Sequence, residues 1–503
     1  MRTPRRFSVQ AFWGLSSWLL PLVIVFLLTP RLLHQLGTAR FGVLMIVLIT
    51  PIIATQLDFG LGSSAVRRFA AGLSQGPLDG SRLLFSYFGV FCAIALLFGT
   101  AVALGAEWLA ATLGFSELLG RDTAVELIRW CAVWVAVSLA TGLPALVARA
   151  AQSFAWLTAV QTASTVVLWV GALLLVGAGY PLRDIVILGI AISVASTAVM
   201  AFVAHRAVRW DSPLSFQLSL PMNDARFASG MFATQIASAI AFQADRILIS
   251  SFGSPAIAGA YSLCVTLANK PLAAVAAITS FAYPHASGLH ATGAREQLSA
   301  LLHALDRAVV VLVVPIVLPA LWLAQPFFEL WLGAYGPPDL VLAFKILLVA
   351  FAMTTFAVPA SHVLAASGRS GPAAAFSWLT AIIVLVGIVA LVPPYGLLGA
   401  VVAIFAAMST TFAFSIVARR TLALGRPPRW RFWAGVLVGV SVQAGVLWLL
   451  ATEVVGWVSL ILVGTAGWGA FFLVRATLKL LSPEEVRVFN LLRQTASSSY
   501  GPR

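Results

Sequence analysis

Pro144-Ala145-Leu146-Val147-Ala148-Arg149-Ala150-Ala151 and Pro359-Ala360-Ser361-His362-Val363-Leu364-Ala365-Ala366 lie 215 positions apart and share a frame of proline and small residues. The offset persists on both sides of this pair. Tyr180 lines up with Tyr395, Arg31 before Gly37 with Arg246 before Gly253, and Arg129 with Lys345 when one more residue is allowed. An offset that stays at 215–216 from the first apolar stretch to the sixth is the mark of an internal repeat. In an almost continuously apolar chain, two similar halves are the usual sequence sign of a transporter with its substrate site between them.

Composition sets the class. Of 503 residues, 60% are apolar and 10% charged, and the mean hydropathy is +0.98. Water-soluble domains carry about 25% charge, so this chain uses lipid as its outer solvent. The net charge of +14 does not point to nucleic acid. The cations sit in short loops between apolar stretches, where they set topology.

Crossing a bilayer takes roughly 20 apolar residues. The stretches that qualify are 11–30, 41–60, 83–105, 124–146, 157–178, 183–204, 227–250, 255–284, 306–326, 340–365, 373–392, 396–418, 432–451 and 455–475. The expected fold is an all-α polytopic membrane protein with about fourteen transmembrane helices. Six crossings return the chain to its starting side, so the two six-helix repeats are expected to be parallel, related by an axis along the membrane normal. The expected organisation is an N-lobe over 1–210, a C-lobe over 211–425, an added helix pair over 426–480 and a cytoplasmic tail over 481–503.

Orientation follows from Lys and Arg. With the N-terminus inside, cytoplasmic segments hold most of the 31 cations, and the outer loops hold only Arg31, Arg40, Arg121 and Arg183. This asymmetry predicts cytoplasmic termini. The basic start followed by an apolar run reads as an uncleaved first helix, because no small-residue cleavage site follows it. Cys92, Cys131 and Cys264 fall inside apolar stretches and read as small core residues. In the tail, Ser482-Pro483-Glu484-Glu485 reads as a helix start. Val486, Phe489 and Leu492 then form one face, which fits a short helix on the inner leaflet and equally a frayed polar end.

Several segments resemble a known family. Leu57-Asp58-Phe59-Gly60-Leu61-Gly62-Ser63-Ser64-Ala65-Val66-Arg67-Arg68-Phe69-Ala70 is similar to the segment after helix 2 of polysaccharide repeat-unit flippases, the Wzx-type members of the multidrug/oligosaccharidyl-lipid/polysaccharide exporter superfamily. Asp245-Arg246-Ile247-Leu248-Ile249, Ala258-Gly259-Ala260-Tyr261-Ser262, the loop from Pro284 to Arg295, and Pro394-Tyr395-Gly396-Leu397-Leu398-Gly399-Ala400 resemble the same family in the same order. The likeness runs over roughly 10–420. It implies two lobes with alternating access, in a bacterial inner membrane, moving a polyprenyl-diphosphate-linked oligosaccharide outward. It also implies membrane lipids, a polysaccharide polymerase and a chain-length regulator as partners. Many members have twelve spans, so the last helix pair is a departure. Fourteen spans also occur in lipid II flippases, which keeps that substrate open.

The residues themselves suggest how a diphosphate could be carried. An unpaired charge in a low-dielectric core costs several kcal/mol or more, so fixed cations are required. Candidate substrate-binding residues are Lys270, Arg246, Asn269, Arg31, Arg129 and Lys345. Arg forms bidentate bonds to phosphate oxygens, and Asn269 can bind phosphate or sugar hydroxyls. Lys270 lies some 15 residues into its stretch, near mid-membrane at about 1.5 Å per residue. Arg246 comes about 28 Å along its own by the same rise. A structural pair with Asp245 is an alternative for Arg246, and snorkelling to headgroups is one for Arg31, Arg129 and Lys345. Asp58, Asp245, Arg67 and Arg68 are candidate coupling or gating residues, although Asp58 equally fits capping a turn or pairing with Arg67 or Arg68.

Other chemistries lack their signatures. No phosphate-binding Gly-x-x-x-x-Gly-Lys-Ser/Thr loop occurs, the histidines have no metal-ligand spacing, and neither a cofactor nor an enzymatic activity is expected. A membrane-embedded polymerase would need a large polar loop. A cation-coupled multidrug exporter remains the main alternative, and it would favour buried acids where these stretches carry almost none.

Overall fold

The computed structural model describes residues 4–56, 80–151, 153–207, 235–279, 292–333, 339–367, 371–422 and 430–478, with positions 58, 60–62, 64–66, 68–69, 286, 289–290, 336–337 and 480 between or beyond them. Helices dominate throughout, as lipid requires, because a helix satisfies its backbone hydrogen bonds within the segment. Among the described residues, ten helices are long and apolar enough to cross a membrane.

Two of the ten, Leu22–Ile53 and Gly371–Arg420, each cover two of the stretches expected from sequence. Each is broken at a glycine. Within Pro4–Gln56 the break is Gly37, at φ 71 and ψ 167. Within Gly371–Leu422 it is Gly396, at φ 53 and ψ −126, after Pro393 and Pro394. Nothing lies within 4 Å of where a Cβ on Gly37 would stand. The residue is therefore glycine for its backbone angle alone, which side chains disfavour. The stretch expected at 227–250 is described only from 235, with a helix at Asp245–Phe252. The next is described to Thr279 as Pro255–Ala268 and Lys270–Thr279, meeting at Asn269. The tail helix expected from Ser482 lies outside the described residues.

The chain forms two compact units, one of residues 1–262 with 384–400 and one of 263–383 with 401–503. In the first, Arg121–Thr141 packs against Gly80–Leu104 and Leu182–Ala207, and Phe154–Gly177 packs against Pro4–Gln56 and Leu182–Ala207. Glycines allow the closest approaches. A Cβ on Gly42 would stand 1.7 Å from the Pro255 carbonyl oxygen, and one on Gly259 would stand 2.9 Å from Gly42 Cα. This is backbone-to-backbone packing of the kind small residues permit in lipid.

In the second unit, Arg295–Trp322 packs against Leu340–Thr355, Trp430–Leu450 and Trp457–Thr477. Pro315 and Pro319 lie inside it. Pro319 has no N–H, so the Pro315 carbonyl loses its i+4 donor. Gln443, fully buried, supplies one instead: its Nε2 donates to Pro315 O at 2.9 Å. Arg419 grips Asp306 in bidentate fashion at 3.1 and 2.7 Å and also donates to the Phe356 carbonyl. Arg475, the last residue of the stretch expected at 455–475, is fully buried. Its guanidinium stands 5.1 Å from the Phe471 ring centre and 5.9 Å from that of Phe432.

Similar hydroxyl contacts occur in both halves of the sequence. Ser164 and Ser196 are hydrogen-bonded at 2.8 Å, and Thr197 reaches the Thr141 carbonyl at 3.2 Å. Thr380 and Thr410 are bonded at 2.6 Å, and Thr411 reaches the Thr354 hydroxyl at 3.1 Å. These positions are separated by 213–216 residues, close to the spacing of the proline frame.

Candidate functional site

The candidate residues fall in both units. Arg31, Asp58, Arg68, Arg129, Asp245 and Arg246 belong to the first; Asn269, Lys270 and Lys345 belong to the second. Arg67 lies outside the described residues. Arg31 and Arg129 are exposed on their helices, where a long stem can carry the charge to headgroup depth. Lys345 is half-buried on Leu340–Thr355, which packs against the Lys270–Thr279 helix. Lys270 is half-buried at the start of that helix. Beside it, Asn269 uses its backbone N–H on the Val265 carbonyl, while its side-chain Oδ1 is buried without a partner among the described residues.

Asp245 and Arg246 are not paired through their side chains. Asp245, only 3% exposed, accepts a hydrogen bond from the hydroxyl of fully buried Tyr261, and another from the Arg246 backbone N–H at 2.9 Å. The phenol therefore holds the carboxylate. The guanidinium is left uncommitted at Nε, which is buried and unpartnered among the described residues. Tyr261 carries this arrangement; in the sequence it stands only within a family-like segment.

Asp58 is buried and tied to its own turn. Its Oδ1 accepts from Gly60 N and its Oδ2 from Gly62 N, both at 2.9 Å. Gly60 has φ 75, and a Cβ on Gly62 would stand 2.3 Å from Asp58 Oδ2. The glycines at 60 and 62 are thus what allow the chain to wrap this carboxylate. Arg68 is exposed.

Two neighbouring cavities open in the first unit, of about 620 and 590 Å³, sharing Ser138, Gly142, Ala145 and Gln161 on their walls. Asp58, Arg149 and Gln235 line the first; Thr162, Thr165 and Ser193 line the second. Ser138 Oγ, Thr162 Oγ1 and Gln235 Oε1 are buried without a partner among the described residues. These groups carry no charge and so stand outside the candidate residues named from sequence. A signal was present, because Gln161, Ser164 and Thr165, like Ser193, Ser196 and Thr197, repeat at i, i+3 and i+4, which places each trio on one helix face.

Comparison with known proteins places this geometry. The model of the family described as polysaccharide biosynthesis protein matches residues 31–335, more than half of the chain. A search of curated proteins found no match. Among solved structures, the lipid II flippase MurJ in an inward closed conformation superposes with a TM-score of 0.71 at 13% identity, over 93% of this chain and 99% of that one. An inward-facing multidrug resistance MATE family transporter of the MOP superfamily gives 0.63 at 13% identity, over 82% and 98%. The Vibrio cholerae MATE transporter VcmN in its bent form gives 0.52 at 18% identity, over 83% and 98%. At these identities the likeness establishes a shared fold. The proteins matched are, by their descriptions, a lipid II flippase and two MATE family transporters.

Proposed function

The chain belongs to the polysaccharide biosynthesis protein family, and from that premise we propose that it flips a polyprenyl-diphosphate-linked oligosaccharide across a bacterial inner membrane. Movement runs from the cytoplasmic to the outer leaflet by alternating access, with both termini cytoplasmic, and the cargo feeds a polysaccharide polymerase. The observation that carries this reading is the family match over residues 31–335, set in the fold that a lipid II flippase also adopts.

Charge sign supports it over drug export. Arg246 keeps a buried, uncommitted Nε, whereas Asp58 and Asp245 have their oxygens engaged by backbone N–H groups and by Tyr261. Sites with available cations and occupied acids attract anions and repel cationic drugs. Arg246, Lys270 and Asn269 bind the diphosphate in this proposal, assisted toward the outer side by Arg31, Arg129 and Lys345. Asp58, Asp245, Arg67 and Arg68 hold the segments that must rearrange.

Deleting the gene tests the reading. Cells are expected to accumulate lipid-linked oligosaccharide on the cytoplasmic leaflet and to lose a surface or secreted glycan, with resistance to cationic dyes unchanged. Normal glycan with heightened dye sensitivity would replace this reading with the multidrug exporter. Accumulation of lipid II with normal surface glycan would make the cargo the peptidoglycan precursor.

A further inference from the structure

The paired cavities of the first unit carry an inference about the sugar end of the cargo, and it rests on the flippase reading. We propose that this cleft binds the glycan head, with Gln161, Thr162, Ser138 and Gln235 as its hydrogen-bonding wall, separately from the cations that hold the diphosphate.

Besides Asp58 and Arg149, the polar part of the wall is made of neutral hydroxyl and amide groups of the kind that suit a polyol. Thr165 donates to the carbonyl of its own helix at Gln161, 3.0 Å away, and Ser193 donates to Gly189 O at 2.9 Å while already accepting from Trp134 Nε1 at 3.0 Å. A hydroxyl whose proton is spent in this way still has lone pairs to accept from a ligand hydroxyl. Ser138 Oγ and Thr162 Oγ1 have no partner among the described residues, and neither does Gln235 Oε1. Gln161 is exposed at the junction of the two cavities, and its amide offers both a donor and an acceptor. Sugar hydroxyls donate and accept at once, so mixed hydroxyl and amide walls match them. Buried polar groups otherwise left unpaired are also what make a site reject a ligand that lacks hydroxyls.

Other occupants fit less well. A cationic drug would seek an exposed carboxylate, and the acid on this wall, Asp58, is buried and held in its own turn by the Gly60 and Gly62 N–H groups. A polyprenyl tail would leave the wall hydroxyls and amides unpaired. The cation on the wall is Arg149, exposed near the end of Leu143–Ala150. In the proposed topology Arg149 marks the cytoplasmic end of its span, so the cleft lies in the inner half of the membrane, where a cargo completed in the cytoplasm is loaded.

The test uses the full chain in lipid nanodiscs and two probes, undecaprenyl diphosphate alone and the same lipid carrying an N-acetylglucosamine disaccharide. Dissociation constants are read by native mass spectrometry. Wild-type protein is expected to bind the disaccharide probe more tightly than the bare lipid. The double variant Gln161→Leu with Thr162→Val should weaken binding of the disaccharide probe roughly tenfold or more, as expected for lost hydrogen bonds, and leave the bare lipid unchanged. Gln161 is exposed and valine matches threonine in shape, so thermal unfolding should not move. Equal loss on both probes, or loss on neither, overturns the cleft while leaving the flippase reading intact. Wild-type protein that binds neither probe overturns both.

Discussion

Gln443→Leu removes the side-chain donor seen among the described residues on the Pro315 carbonyl, whose i+4 helical partner is missing because residue 319 is proline. Gln443 is fully buried, so water does not readily replace the lost bond. Leaving a buried acceptor unpaired costs about 1–3 kcal/mol; leucine fills most of the vacated volume and also removes Gln443 Oε1, itself buried without a partner among the described residues, which offsets part of that cost in either background. The informative measurement is a cycle with Pro319→Ala, which restores an N–H at the i+4 position. In that background the carbonyl is satisfied by its own helix, and Gln443→Leu should cost under about 0.5 kcal/mol. The coupling between the two sites is then about 1–2 kcal/mol, within the range for contacting groups. Reversible unfolding of all four proteins in mixed micelles, followed by tryptophan fluorescence, gives the values. Equal costs for Gln443→Leu in both backgrounds would refute the claim that this amide substitutes for the missing backbone donor.

Three further outcomes follow from the geometry. Gly42→Ala places a methyl group 1.7 Å from the Pro255 carbonyl oxygen, so folded protein recovered from membranes should fall sharply; wild-type recovery and Tm would mean that these two segments do not touch. Asp58→Asn replaces one accepting oxygen with a donor, leaving Gly60 or Gly62 N–H unpaired, and should lower stability by about 1–3 kcal/mol; an unchanged unfolding midpoint would remove Asp58 from its capping role. Arg246→Ala and Lys270→Ala should each abolish transport at normal membrane levels, and Arg246→Lys should retain less activity than Lys270→Arg because lysine cannot form the bidentate contact; full glycan export by either alanine variant would dismiss that residue from the diphosphate site.

The parts of this protein that were legible in sequence are those written in periodic hydrophobicity. The all-helical, membrane-crossing character follows from where apolar runs start and stop, although ten helices long enough to cross stand among the described residues where fourteen stretches are expected. Partners distant in sequence were not legible. Asp245 stands next to Arg246 in the chain, yet it is bound by Tyr261 sixteen residues on, because a helix turns neighbouring side chains away from each other. Arg475 stands at the end of its apolar run, yet Gly435 and Gly439 make the room in which it is buried: a Cβ on Gly439 would stand 3.1 Å from Arg475 Cδ. The cleft was overlooked for a different reason. Serine, threonine and glutamine blend into an apolar stretch on a hydropathy scale, and only their spacing of three and four shows that they share a face.

The first unit is assembled from two pieces of chain, residues 1–262 and 384–400. Space for a Cβ on Gly253 is taken by Val392, and the corresponding space at Gly396 is bounded by Ile257, so the second piece touches the end of the first. During synthesis that second piece does not yet exist when residue 262 is made. At about 5–20 residues per second, the intervening segment takes roughly 6–24 s to emerge. Over that interval Gly253 and Ile257 lack the neighbours that Val392 and Gly396 later supply. The order of biogenesis is thus set by topology: the half that is translated first is the one that must wait to be completed, and a nascent chain arrested between 262 and 384 holds an unfinished unit.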